Sequence, residues 1–173
     1  MSLYRTRTYI AADFDHDKDV VVQLIKWNDS DHWNLHFSNA HDLESCRDSS
    51  LYCTIKNSLR MRMSGSKRFV LVVGDYTNSI TKGGCQYCHS YNSYIGYCTH
   101  GYHIDYRSYV RFECDLAIQQ NIDIIVLYKS SSIKRSLCPE SVRGTGIHIP
   151  LFYFKGGQCY WNYQDIKKAF DDI

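Results

Sequence analysis

Tyr109-Val110-Arg111-Phe112-Glu113-Cys114-Asp115-Leu116-Ala117-Ile118, followed closely by Ile122-Asp123-Ile124-Ile125-Val126-Leu127-Tyr128, decides the fold of this chain. The first run reads as a helix with an acidic residue, Glu113, near its start, and the second as a strand apolar enough to be buried on both faces. In an open α/β sheet such elements frame a ligand crevice, because binding sites form beyond the carboxyl ends of the parallel strands. Glu113 is therefore the first residue to question for a chemical role.

Working back from there, Lys67-Arg68-Phe69-Val70-Leu71-Val72-Val73-Gly74 is apolar at five consecutive positions and reads as a central strand, with Asp75, Tyr76, Thr77 and Asn78 just past its carboxyl end. Thr8-Tyr9-Ile10-Ala11-Ala12-Asp13-Phe14 is a first strand running into the polar cluster Asp13, Asp15, His16 and Asp17, residues suited to the start of the next helix. That helix runs from about Asp19 to Trp27 and stops at the turn-forming Asn28-Asp29-Ser30-Asp31. Residues 33–39 alternate apolar and polar, which predicts an edge strand exposed on one face. Arg47-Asp48-Ser49-Ser50 supplies a helix cap, and Leu51, Ile55 and Leu59 repeat along one helical face as far as Ser64-Gly65-Ser66.

Beyond the deciding stretch, residues 129–146 are irregular and residues 147–152 read as a last, Pro-containing edge strand. Lys155-Gly156-Gly157-Gln158 is a tight turn, and residues 162–172 close the chain as an amphipathic helix around Ile166 and Phe170. Five strands alternating with helices predict a mostly parallel α/β sheet with helices on both faces.

With 173 residues, 44% of them hydrophobic and only 2 Pro, the chain suits one compact domain over residues 1–173 and excludes a long disordered tail. A formal charge of +2 is near neutral, so no face is forced towards nucleic acid or an anionic membrane. Arg60, Arg62, Lys67 and Arg68 read as a solvated helix end. Residues 1–5 lack the apolar core of a signal peptide, and no run reaches the roughly 18 apolar residues of a membrane span, so a cytoplasmic location is expected. The 8 cysteines are then reduced thiols or metal ligands rather than a disulfide framework. Neither phosphate-binding glycine fingerprint is present, which argues against a conventional dinucleotide-binding fold or a P-loop enzyme.

The pattern dissolves at about 78–106 into Gly, Tyr, Ser, Cys and His, and a loop of that length is usually functional or held by something other than a core. Cys85-x-x-Cys88, Cys98-x-His100 and His103 supply enough soft ligands for a structural zinc. The alternative is a Tyr-rich loop carrying unligated thiols.

Taken together, the Thr-Tyr-Ile-Ala-Ala-Asp-Phe strand, the Arg47 to Ser50 helix start, the strand from Phe69 to Asp75, Val110-Arg111-Phe112-Glu113 and Ile147-His148-Ile149-Pro150 resemble the TIR-like domain family of bacterial Thoeris anti-phage systems. The order and spacing of these motifs carry the resemblance, and the long connection at 78–106 departs from it. The resemblance implies a flavodoxin-like, five-stranded sheet of order 2-1-3-4-5. It also implies an enzyme that consumes NAD as substrate, cleaves the nicotinamide–ribose bond and releases a cyclic or conjugated ADP-ribose-derived signal. That diffusible nucleotide would activate an effector protein, in response to a phage-derived trigger, with self-association common in such enzymes.

By the same resemblance the catalytic glutamate, on the helix before the fourth strand, corresponds to Glu113. Nicotinamide leaves as a neutral base, so no general acid is needed, but its departure builds oxocarbenium character that a buried carboxylate can stabilise. By position, Asp13, Phe14, Asp48, Ser49, Asp75, Thr77 and Arg111 are expected to line the same crevice, with Arg111 towards a pyrophosphate and Phe14 or Tyr76 stacking on a ring. The rival readings are a non-catalytic TIR-like sensing or interaction module, and an N-glycoside transferase acting on nucleosides. For Glu113 itself, the alternative is an ordinary exposed helix glutamate paired with a basic neighbour.

Overall fold

The computed structural model describes residues 7–40 and 51–173. Its centre is a five-stranded, all-parallel sheet built from β1 (Arg7–Ala11), β2 (Ser38–Asn39), β3 (Ser66–Val73), β6 (Asp123–Tyr128) and β7 (Ile147–Pro150). The spatial order is β2-β1-β3-β6-β7. Counting only these sheet strands, that is the expected flavodoxin-like 2-1-3-4-5.

Strand alternation divides the core in two. Tyr9, Ala11, Phe69, Leu71, Val73, Ile124, Val126 and Tyr128 face α2 (Tyr52–Ser64) and α3 (Tyr109–Gln119), where they meet Leu59, Met63, Val110, Cys114 and Ala117. Ile10, Val70, Val72, Ile125 and Leu127 face the opposite way, onto Val20, Val21, Leu24 and Trp27 of α1 (Lys18–Asp29) and Ile166, Ala169 and Phe170 of α4 (Tyr163–Asp171). Each fully buried Val, Leu or Ile contributes about 1.5–3 kcal/mol. The uninterrupted apolar runs of β3 and β6 thus stabilise both layers at once.

Two short antiparallel hairpins lie outside this sheet. β4 (Tyr91–Asn92) and β5 (Tyr97–Cys98) pair within the long connection before α3, while β8 (Phe152–Lys155) and β9 (Gln158–Trp161) follow β7. Gly156 and Gly157 turn the second hairpin with φ of 58° and 78°, as the predicted tight turn requires. Its Trp161 meets Trp27 edge-on, with ring centroids 5.5 Å apart, and so extends the α1 side of the core.

Several expectations are corrected. The edge strand predicted at 33–39 shrinks to Ser38–Asn39, because Asn34 (φ 48°) and His36 (φ 53°) are left-handed and break extended pairing. The Asn28 side-chain oxygen instead accepts the Phe37 N–H at 2.6 Å. The final edge strand stops at Pro150, and Phe152 opens the hairpin. Arg68 is not part of a solvated helix end. It is buried in β3, where its guanidinium donates to the carbonyls of Phe170 and Ile173 at 2.5 and 2.7 Å and lies over the Phe170 ring. The N-cap of α2 is Leu51, with no side-chain cap, and the predicted Arg47 to Ser50 cap lies outside the described residues.

Candidate functional site

Glu113 sits on the inward face of α3. Ser108 caps that helix by accepting the Arg111 N–H at 3.3 Å, and Val110, Glu113, Cys114 and Ala117 recur at the three-to-four spacing that faces the sheet. Glu113 is consequently only 6% exposed, and the Tyr9 hydroxyl of β1 donates to its Oε1 at 2.5 Å. Burial pushes its carboxyl up to about 7, against the smaller opposing effect of the Tyr9 hydrogen bond. Near neutrality it therefore exists both as acid and as carboxylate, able to hold a proton or to face a developing positive charge.

A second group lies at the carboxyl ends of β1 and β3, where the strand order reverses. Asp13 accepts from the Asp15 N–H at 3.1 Å and meets His16 Nδ1 at 2.5 Å. The Asp17 side chain, 3% exposed, presses on Gly74 so closely that a Cβ there would collide with its carboxylate. Its Oδ2 has no hydrogen-bond partner, Lys129 lies 3.5 Å from Oδ1, and burial raises its pKa despite that lysine. Thr77 is buried, its hydroxyl oxygen accepting the Gly74 N–H at 2.8 Å. Phe14, Asp75 and Tyr76 are exposed, with Tyr76 against the His16 ring at 4.4 Å.

A cavity of about 700 Å³ opens elsewhere, between α2, the start of α3 and the long connection. Arg60, Arg107, Arg111, Asn78, Gln86 and His103 are among its lining residues. Arg107 is paired with Asp105 at 2.7 Å and Asp115 at 2.8 Å. Burial opposes ionisation of Asp105, yet hydrogen bonds from Arg107 outweigh it and hold this carboxyl down at about 2. Arg111 reaches Asn78 Oδ1 at 3.5 Å. Two residues apart on one helix, Arg111 and Glu113 point about 200° away from each other. Arg111 lines the cavity; Glu113 does not.

The candidate residues thus fall in three places: Glu113 between α3 and β1, Arg111 in the cavity, and Asp13, Phe14, Asp75 and Thr77 beyond the carboxyl ends of β1 and β3. Asp48 and Ser49 lie outside the described residues. Among the described residues, no three His, Cys, Asp or Glu side chains are grouped so as to hold a metal. Cys85, Cys88, Cys98 and His103 nevertheless line one small cavity together with Cys53 of α2, whereas His100 is not among its lining residues.

Sequence reasoning missed Tyr9, Lys56 and Cys53. Tyr9 is one more apolar-looking strand residue, 104 positions from its partner Glu113. Lys56 is a buried lysine in a polar-looking helix turn, donating to the carbonyls of Asp105 and Arg107 at 3.0 and 2.6 Å and so holding the entry to α3. The available signal for Cys53 was its cysteine identity one turn before Lys56. No described helix is long and apolar enough to cross a membrane.

A search of curated proteins finds no match. A family model described as the TIR-like domain of Thoeris protein ThsB matches residues 9–82, from the Tyr9 strand through β3 to Lys82. The flavodoxin-like strand order continues beyond the matched stretch. Residues 9–82 are thus similar to the TIR-like domain of Thoeris protein ThsB, and the sheet that they begin has the flavodoxin-like strand order.

Proposed function

We propose that this protein is an NAD-consuming TIR-like enzyme of anti-phage defence whose catalytic group is Glu113. The observation that carries the reading is the buried Glu113 carboxyl, on the helix before the fourth sheet strand, hydrogen-bonded by Tyr9 and titrating at about 7. In this mechanism the bond from ribose C1′ to the nicotinamide nitrogen breaks, and its electron pair leaves with neutral nicotinamide. The Glu113 carboxylate stabilises the oxocarbenium character left on the ribose, a contribution on the order of 2.7–4 kcal/mol for a preorganised electrostatic contact.

The acceptor then fixes the product. Water gives ADP-ribose and a proton, an internal nucleophile gives a cyclic isomer, and a captured amine or imidazole gives a conjugate. The latter two match a diffusible signal that activates a Thoeris effector. Arg111, with Arg60 across the same cavity, supplies cationic donors for a pyrophosphate, and exposed Phe14 or Tyr76 offers a face for a ring.

A second reading, a non-catalytic sensing module, is favoured by one specific feature: Glu113 is shut between α3 and β1 and is not among the residues lining the large cavity. Mass spectrometry of small molecules from cells expressing wild type and Glu113→Gln, with and without phage infection, separates the two. An ADP-ribose-derived species made by wild type alone supports the enzyme. Identical profiles in all four samples refute it.

A further inference from the structure

The connection at 78–106 has almost no apolar reason to be ordered. Of its residues only Ile80 packs against either core, while Tyr87, Tyr94, Ile95, Tyr97, Tyr102 and Tyr106 are exposed. Yet it forms defined turns. Cys85 and Cys88 bracket a single 3₁₀ turn closed by the Cys88 N–H donating to the Cys85 carbonyl at 3.0 Å. Cys98 leaves the β4–β5 hairpin into a turn closed by the Gly101 N–H on its carbonyl at 2.9 Å, with Gly101 at φ 73°. Cys85-x-x-Cys88 has the ligand spacing of structural zinc sites, and the turn after the hairpin adds Cys98 to the same small cavity.

The folded chain adds what the linear pattern lacked. Cys53, on the first turn of α2, lines the same small apolar cavity as Cys85, Cys88 and Cys98. None of the described cysteines is in a disulfide. The Cys85 sulfur accepts the Asp105 N–H at 3.3 Å, which ties this cysteine to the segment leading into α3.

We propose that Cys53, Cys85, Cys88 and Cys98 bind one zinc ion and that this metal fastens the connection to α2. The four sulfurs do not yet converge on one point, so ligation requires their side chains to rotate inward around the cavity they share. On binding, each thiol gives its proton to solvent as its Zn–S bond forms, with no change of oxidation state. The resulting complex carries two net negative charges. The buried Lys56 ammonium, one turn along α2 from Cys53, interacts electrostatically with Cys85 and offsets part of that charge. The inference stands apart from the NAD reading, since a non-catalytic module would bind the metal equally well.

The test is metal analysis of the purified full chain after chelator challenge, beside cobalt substitution read by the absorption of tetrahedral cobalt–thiolate. Wild type and Cys159→Ser, which alters an exposed cysteine on β9, should retain about one zinc per chain. Cys53→Ser should lose retention by at least about tenfold. Because Cys53→Ser could perturb α2 directly, wild type is also digested with protease before and after metal removal, and stripping should expose cleavage within 78–106 ahead of the sheet. Wild type that takes up neither zinc nor cobalt overturns the proposal. So does retention lost in His103→Gln but kept in Cys53→Ser, which would make the histidine the fourth ligand.

Discussion

Glu113→Gln should make the protein more stable, and by an amount that depends on pH in a defined direction. The folded state holds the Glu113 carboxyl at about 7, whereas its ordinary value is 4.5. Between these values the native state binds more protons than the unfolded state, so wild-type stability falls as pH rises from 4.5 to 7 and levels off above. At about 1.36 kcal/mol per pH unit, the gap corresponds to roughly 3 kcal/mol of buried-charge penalty, absent below pH 4.5 and complete above pH 7. Glutamine keeps a carbonyl oxygen to accept the Tyr9 hydroxyl and carries no charge. Its stability advantage over wild type should therefore grow by roughly 3 kcal/mol between pH 4.5 and 8, read from urea unfolding across that range. A difference that stays flat with pH would refute the reasoning, because it would mean that Glu113 binds its proton equally well in the native and unfolded states. The same variant is expected to abolish NAD turnover, so a gain in stability alongside lost activity would distinguish a working carboxylate from a structural one.

Tyr9→Phe removes the hydrogen bond that favours the ionised form of Glu113, so the carboxyl should titrate higher. The pH profile of NAD turnover should shift upward with little change in its plateau, and stability above pH 7 should fall by about 1–3 kcal/mol. Gly74→Ala drives a methyl into the Asp17 carboxylate and should cost about 1–3 kcal/mol by thermal unfolding, while Asp17→Asn alone should be tolerated or stabilising because it discharges a buried acid. Arg68→Met leaves the Phe170 and Ile173 carbonyls without their donor, and amide exchange across α4 should accelerate at least tenfold while β3 and β6 remain protected.

What the sequence disclosed follows burial. β3 and β6 are apolar on both faces, so they announce themselves without reference to any neighbour, and α3 is legible because its cap and inward stripe are local. The edge at 33–39 misled because its alternation is genuine, while the left-handed turns at Asn34 and His36 leave no periodic trace. Arg68 misled for a different reason: its carbonyl partners lie more than a hundred residues away, so nothing nearby marks it as buried. The site suffers most from this distance effect. Glu113 stands out as an acid in an apolar helix, but the hydroxyl that completes it comes from β1, and the cavity that Arg111 lines is built largely from a connection with no periodicity at all.

The two margins of the sheet carry a consequence for assembly. One margin, β2, pairs over only two residues, and the other, β7, ends on Pro150, which offers no N–H to a sixth strand and is followed at once by a hairpin that turns the chain aside. A second chain seeking to lengthen this sheet would find few open ladder positions at either side. Copies of the protein that associate would then meet through helices and loops, leaving the strands as an internal frame rather than a seam for polymer growth.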